Sequence, residues 1–206
     1  MNINKISPEL RAARQNLINT IINHSQRLDF LESTKNILGE QVLDIYSKSP
    51  YPAGALSNFR RCSFNFDGVK CSSIEGVLQS LKVLIPSAKE NPLLREERLH
   101  LQEKICSYAN NKAKREGNFL NLFNAERKLN WKGVPLKRKS KKYQIFLKKL
   151  FEARYLADAE FRNALQDTKN YKLIHSIGKH DKNTTNLTEE EFIGMLNHLR
   201  TKFHIK

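Results

Sequence analysis

The chain of 206 residues is long enough to bury a hydrophobic core, and its length fits one domain with helical additions better than two domains. Its 36 lysines and arginines exceed its 21 acidic residues, and the resulting formal charge of +15 predicts attraction to a polyanion without identifying a reaction. Charged residues are spread among apolar ones, which excludes a mainly disordered chain.

Two helices are predicted near the N-terminus. Ser7 followed by Pro8 is typical of a helix start, and apolar residues spaced near 3.6 residues apart continue to Ile22. A similar pattern over residues 27–47 predicts a second helix. We therefore expect residues 1–50 to form an N-terminal helical extension packed on the core.

A short hairpin and an amphipathic helix follow. Phe64 and Phe66 alternate with polar residues, and Asp67-Gly68 is a strong signal for a hairpin turn. Ser72 or Ser73 is placed to cap a helix that Pro86 ends. The apolar stripe of this helix comprises Ile74, Leu78, Leu81 and Ile85.

The middle of the chain predicts a charged helix over residues 92–115, within a helical insertion at about 88–118. Residues 110–118 are polar and predict a loop, and residues 120–129 predict a resumed helix. The resulting fold class is mainly α with a small β hairpin (α+β).

The C-terminal part predicts three helices and one strand. The basic run at residues 137–142 leads into a helix, Asp158 is expected to cap the next, and residues 171–174 predict a short strand. Thr188 and Glu191 form a capping box for the last helix.

The targeting and cysteine patterns predict a cytoplasmic protein. Residues 1–10 contain Lys5 and Glu9 and no apolar stretch typical of a signal peptide, and no later run is long enough to span a bilayer. The cysteines lack Cys-x-x-Cys spacing, which predicts free thiols and no metal site or cofactor: Cys62, Cys71 and Cys106.

Three segments read together resemble the opening signature of the NADAR/YbiA-like N-glycosidase superfamily. They are Leu56-Ser57-Asn58-Phe59, then Phe64-Asn65-Phe66-Asp67-Gly68, then Ser73 to Lys82 with Glu75 and the Gln-x-x-Lys of Gln79 and Lys82. Downstream, Trp131 is similar to the family's tryptophan, and the segments beginning at Phe151 and Phe161 resemble its paired C-terminal helices. Asp181 lies where a catalytic aspartate is expected, with His180 as an alternative.

The resemblance implies a single NADAR/YbiA-like domain over residues 51–206 that removes ADP-ribose from guanine. The substrate is expected to be ADP-ribosylated DNA, and the protein to be a bacteriophage protein that counters DarT-type DNA ADP-ribosylation. The catalytic residues implied are Glu75, Lys82 and Asp181, and the substrate-binding residues are Ser57, Asn58, Phe59, Gln79 and Trp131.

The spacing of Glu75, Gln79 and Lys82 places them on one helix face beside the apolar stripe. Cleavage of an N-glycosidic bond requires protonation of the leaving nitrogen and stabilisation of positive charge on the anomeric carbon, for which carboxyl groups are suited. A neutral Lys82 amine is suited instead to forming a Schiff base, which requires a lowered pKa that a nearby Glu75 would oppose. Lys82 as nucleophile and Lys82 as phosphate contact both stay open.

Structural roles compete with each of these assignments. Glu75 also has the spacing of a capping box with Ser72, and Lys82 that of a solvated helix lysine. Phe59 and Trp131 fit core packing as well as stacking on a base or sugar.

The densest basic cluster is expected to contact nucleic-acid phosphates, or else to be a solvated helix entrance: Lys137, Arg138, Lys139, Lys141 and Lys142. Two other functions remain open, namely an N-glycosidase for small ribose-phosphate metabolites and a catalytically inactive module that binds ADP-ribose or nucleic acid.

Overall fold

The computed structural model describes residues 41–205, in which seven helices and three two-stranded sheets form a mixed α+β fold. This confirms the predicted fold class. The helices are α1 (Ala53–Leu56), α2 (Ile74–Ser80), α3 (Pro92–Cys106), α4 (Asn110–Asn121), α5 (Lys141–Ala157), α6 (Ala159–Asp167) and α7 (Glu189–Lys202). The strands are β1 (Gln41–Asp44), β2 (Phe64–Phe66), β3 (Val69–Cys71), β4 (Leu129–Trp131), β5 (Val134–Leu136) and β6 (Tyr171–Ile174).

Helix α5 lies at the centre of the hydrophobic core, where it packs against α6, α7 and strand β2. Its apolar positions recur three or four residues apart, so one stripe is buried along the whole helix. The stripe comprises Tyr143, Phe146, Leu147, Leu150 and Phe151. Within the described residues, no helix is both long and apolar enough to span a bilayer.

The predicted hairpin is confirmed as antiparallel strands β2 and β3, with Phe66 opposite Val69. Asp67 and Gly68 both have positive φ angles, 51° and 79°, as a two-residue hairpin turn of this kind requires.

The first predicted helix lies outside the described residues, as does most of the second. The prediction of a helix is wrong for residues 41–44, because these residues form β1. This strand pairs in parallel with β6, from Gln41 opposite Tyr171 to Asp44 opposite Ile174. Pairing with a strand about 130 residues away overrides the local helical pattern, and no local signal indicates it.

The predicted loop at residues 110–118 is also wrong, because these residues belong to helix α4. The helix has a narrow buried face formed by Ala113, Gly117 and Leu120, four and three residues apart. Small residues on that face make the segment look polar, yet they allow α4 to pack closely against α2.

The predicted helix over residues 120–129 is wrong beyond Asn121. A second hairpin follows, with β4 paired to β5 and Trp131 opposite Val134. Its turn residues Lys132 and Gly133 have φ angles of 52° and 84°, so the Gly in this turn was the signal for a hairpin.

The helix caps predicted in the C-terminal part are confirmed. Asp158 caps α6 by accepting a hydrogen bond from the Phe161 amide, and Thr188 and Glu191 form the capping box of α7. Strand β6 is present over the predicted residues. Helix α2 is shorter than predicted, since it ends at Ser80.

Candidate functional site

A cavity of about 660 Å³ lies between α2, α4, the start of α5 and the loop that follows β6. This volume is within the range of small-molecule binding sites. Six of the predicted substrate-binding and catalytic residues line it: Ser57, Asn58, Phe59, Glu75, Gln79 and Lys82.

Glu75 is the buried carboxylate of this cavity, with 6% of its surface exposed. Its Oε2 accepts a hydrogen bond from Asn58 Nδ2 at 2.8 Å, and its Oε1 accepts one from Gln79 Nε2 at 2.6 Å. Burial raises the pKa of the Glu75 carboxyl above its usual range, although the Gln79 hydrogen bond and nearby Lys82 oppose the shift. Glu75 is therefore held in place as a carboxyl with increased proton affinity.

The alternative in which Glu75 closes a capping box with Ser72 is wrong. Ser73 caps α2, because its Oγ accepts a hydrogen bond from the Gly76 amide at 2.8 Å. The side chain of Glu75 instead points to Asn58 and Gln79.

Lys82 lies in the turn after α2 rather than on the helix, and its half-buried Nζ donates a hydrogen bond to the Gly117 carbonyl at 3.1 Å. Burial lowers the pKa of Lys82 to about 8, against the opposing effect of Glu75 and with help from Arg127 and Lys179. Burial and neighbouring cations thus outweigh the carboxylate, which is the condition that a neutral Lys82 amine requires.

Gln79 connects α2 to α4. Its Oε1 is buried and has no hydrogen-bond partner among the described residues. A Cβ atom at Gly117 would lie 1.7 Å from that oxygen, so only glycine allows the Gln79 amide to occupy this place. The sequence pattern identified Gln79 but gave no signal for Gly117.

The loop that carries Asn58 is anchored by Arg154, a fully buried residue of α5. Its Nη1 donates to the Ser57 carbonyl at 2.7 Å and its Nη2 to the Ala55 carbonyl at 2.8 Å. Arg154 Nε also contacts Asp158 Oδ2 at 3.3 Å. The four-residue spacing of Arg154 and Asp158 signals their ion pair but gives no signal for the contacts with the distant loop.

The cavity lining is strongly basic. It includes two acidic side chains, Glu75 and Glu126, against seven basic ones. The basic residues are Lys82, Lys114, Arg127, Arg138, Lys139, Lys179 and Lys182. Such a lining attracts a multiply charged anion, for example a diphosphate.

Arg138 differs from the lysines around it because it is held within the fold. Its guanidinium pairs with both carboxylate oxygens of Glu191 and donates to the Thr185 carbonyl at 2.9 Å. Lys137, Lys139, Lys141 and Lys142 are exposed around the N-terminal end of α5, and Lys139 also lines the cavity.

Asp181 and His180 lie outside the cavity lining. Asp181 is exposed, and its Oδ1 accepts hydrogen bonds from the backbone and side chain of Asn183, as in an Asx turn. The side chain of His180 is 83% exposed. The loop instead contributes His175 to the cavity, with its Nδ1 2.5 Å from the Ile45 carbonyl.

Trp131 lies in the hydrophobic core rather than in the cavity lining. Its ring contacts Phe66 and Phe146 at centroid distances of 5.4 and 5.6 Å, and its Nε1 donates to Asp67 Oδ2 at 2.8 Å. The structure therefore gives Trp131 the packing role that competed with sugar binding.

Comparison with known proteins places the chain in a bacteriophage family. The family described as bacteriophage protein GP30.3 matches residues 50–201. A protein of Enterobacteria phage T4, named an uncharacterized 17.1 kDa protein in the Gp30-rIII intergenic region, is 34% identical over 160 residues, covering 77% of this chain and 96% of the relative. No solved structure is significantly similar to the chain. The match over residues 50–201 shows that this chain belongs to the bacteriophage GP30.3 protein family.

Proposed function

We propose that the protein is an N-glycosidase that removes ADP-ribose from guanine in DNA, with Glu75 and Lys82 as its catalytic residues. The observation that carries the proposal is the buried Glu75 carboxyl, hydrogen-bonded by Asn58 and Gln79, in one basic cavity with Lys82. Perturbed ionisable groups in a concave site are a common property of catalytic centres.

The two shifted groups have complementary roles in such a reaction. Protonated Glu75 donates its proton to the exocyclic nitrogen of guanine as the bond from that nitrogen to the anomeric carbon breaks. The neutral Lys82 amine forms a bond to the same carbon, and the sugar ring opens to a Schiff base. Water then hydrolyses the Schiff base, which releases ADP-ribose. The proton that Lys82 gained on bond formation returns to Glu75, so both groups regain their starting states.

The cavity supports the choice of an ADP-ribose group as the part of the substrate that binds. Its basic side chains fit the charge of a diphosphate, and its volume fits a nucleotide-sized ligand. Phe59 is a half-buried aromatic residue of the lining and offers a ring for stacking on a base.

The test is to incubate the full chain with ADP-ribosylated DNA and to measure recovered guanine and released ADP-ribose. Wild-type protein should restore guanine, whereas Lys82→Ala and Glu75→Gln should slow the reaction by about 100-fold or more. Lys148→Ala, at an exposed lysine of α5 outside the cavity lining, is the matched control and should react like wild type. An unchanged adduct in the presence of folded wild-type protein would overturn the proposal.

The position of Asp181 favours one alternative, a module that binds ADP-ribose without cleaving it. Asp181 is exposed and does not line the cavity, so Glu75 is not joined there by the second carboxylate that the resemblance implies. In that case calorimetry should detect ADP-ribose binding by wild type, and no guanine should be recovered from the adduct at any pH.

A further inference from the structure

Helix α4 has two adjoining faces with different chemistry. One face lines the cavity through Asn111, Lys114, Asn118 and Asn121. The next face is exposed to solvent and carries cations and aromatic residues spaced three, four and four residues apart. This α4 stripe consists of Lys112, Arg115, Phe119 and, just beyond the helix end, Phe123.

The two phenylalanines are unusually exposed for their size. Phe119 is 57% exposed and Phe123 is 66% exposed, and their ring centroids are 5.1 Å apart in an edge-to-face arrangement. Adjacent exposed aromatic rings on a helix whose next face lines a cavity indicate a binding surface.

The charge around these rings indicates which partner they fit. Lys112 and Arg115 lie on the same stripe, and Lys114 lies on the cavity face beside them. Protein interfaces are typically depleted of lysine at their apolar centres, whereas single-stranded nucleic acid is bound by cations that contact phosphates and by aromatic rings that stack on bases. The combination of cations and aromatic rings on one stripe therefore fits a nucleic-acid strand better than a protein partner.

We propose that the α4 stripe binds a single-stranded segment of nucleic acid and directs it to the cavity. Phe119 and Phe123 stack on unpaired bases, while Lys112 and Arg115, nearer the start of α4, contact phosphates of the adjoining nucleotides. Bases within a duplex are stacked on one another, so the stripe selects unpaired bases. The link to the cavity rests on the proposed function, whereas strand binding itself requires no turnover.

The experiment measures the affinity of the full chain for fluorescein-labelled, unmodified oligothymidylate by fluorescence anisotropy. Replacing both rings with Phe119→Leu and Phe123→Leu keeps the apolar surface but removes the stacking faces, and should weaken binding by about 5- to 100-fold. Replacing both with tyrosine keeps the rings and should retain the affinity. The wild-type preference for oligothymidylate over its duplex with oligoadenylate should be lost in the leucine variant.

Two controls separate stacking from other effects. Leu156→Ala removes an exposed apolar residue at the end of α5, 66% exposed, and should leave the affinity unchanged. Arg115→Gln should lower the slope of log affinity against log salt by about 0.7, as expected for one lost phosphate contact to a single strand. The leucine variant should keep the wild-type salt slope.

Unchanged oligothymidylate affinity in the leucine variant would overturn the proposal. If, in addition, the leucine variant had a lower thermal unfolding temperature, the result would indicate that the two rings pack against another part of the chain. The oligonucleotide carries no ADP-ribose. A loss of binding in the leucine variant would therefore support the α4 stripe even if the protein leaves ADP-ribosylated DNA unchanged. Conversely, if the leucine variant bound the oligonucleotide like wild type and wild-type protein removed ADP-ribose from DNA, only the proposal for the α4 stripe would be overturned.

Discussion

The pKa values of Glu75 and Lys82 are shifted in opposite directions by the same physical cause. Burial penalises the charged form of each group, so the pKa of Glu75 rises and that of Lys82 falls to about 8. Each group thereby approaches the protonation state that the proposed reaction requires of it near neutral pH. The opposing attraction between the two charges is too weak to cancel the cost of burial.

The pKa of Lys82 predicts how the reaction depends on pH. Since the reaction needs a neutral Lys82 and a protonated Glu75, the single-turnover rate should pass through a maximum with pH, because acid protonates the Lys82 amine, whose pKa is about 8, and alkali removes the Glu75 proton. Borohydride should trap a covalent adduct with wild type and none with Lys82→Arg. A single-turnover rate that did not change between about pH 6 and pH 9 would contradict a nucleophilic Lys82.

Gly117 should control the site without touching the substrate. In Gly117→Ala, the new methyl group would occupy the place of Gln79 Oε1, so the Gln79 amide must leave Glu75. Without this hydrogen bond the Glu75 carboxyl is no longer held in position, which should slow turnover by about 10- to 100-fold. Gly194→Ala is the matched control, since a Cβ there meets no atom within 4 Å. It should keep full activity and gain about 1 kcal/mol in free energy of unfolding.

At the scale of elements, Arg138 and Glu191 join the start of α5 to the first turn of α7. Burial raises the pKa of Glu191, but hydrogen bonds from Arg138, Thr188 and Gln144 outweigh it and lower the pKa to about 2. The ion pair therefore fixes the two helices that border the cavity near Thr188.

This pair predicts a loss of stability in acid. The pKa of Glu191 is lower in the folded chain than in the unfolded one, so its carboxylate stabilises the fold above about pH 4.5 and this effect disappears as pH falls towards 2. The contribution is about 3 kcal/mol. Urea unfolding at pH 7 and at pH 3 should show the loss in wild type and a smaller loss in Glu191→Gln. Equal losses in both would contradict the assignment.

Elements with strong local signals were predictable from the sequence. The hairpin at Asp67-Gly68, the cap at Asp158 and the capping box at Thr188 each depend on residues within one turn. Strand β1 was not predictable because its partner β6 is distant in sequence. Helix α4 was missed because four of its polar residues line the cavity and its buried face includes small residues.

The candidate site was predictable to a similar extent. Asn58, Glu75 and Gln79 were identified from the sequence, and the structure joins them by hydrogen bonds. Arg154 and Gly117 were missed because their effect depends on contacts with distant segments. Trp131 and Asp181 match the residue types that the resemblance implies for the site. Packing nevertheless places Trp131 in the core, and a turn holds Asp181 in solvent.

For the whole molecule, a net charge of +15 predicts binding to nucleic acid that weakens with salt. The exposed lysines at the start of α5 are expected to supply part of this attraction beside the cavity. Changing Lys137, Lys139, Lys141 and Lys142 to glutamine should reduce the salt slope of DNA binding by up to about 3.

The same four changes should alter the free energy of unfolding by about 0.5 kcal/mol or less, because these side chains are exposed. Lys148→Gln with Lys149→Gln, further along α5, is the matched control and should have a smaller effect on binding. A salt slope that is unchanged by the four substitutions would show that this cluster is not part of the nucleic-acid contact.

Strand β1 has a consequence for the length of chain that a complete site requires. Asp44 receives hydrogen bonds from the amide and hydroxyl of Ser176, and the Ile45 carbonyl contacts His175, so residues before position 50 support the loop that follows β6. The family match begins at residue 50. A recombinant fragment cut to the matched region would therefore lose the support of one cavity wall, so a complete cavity requires more of the chain than the segment by which the family is recognised.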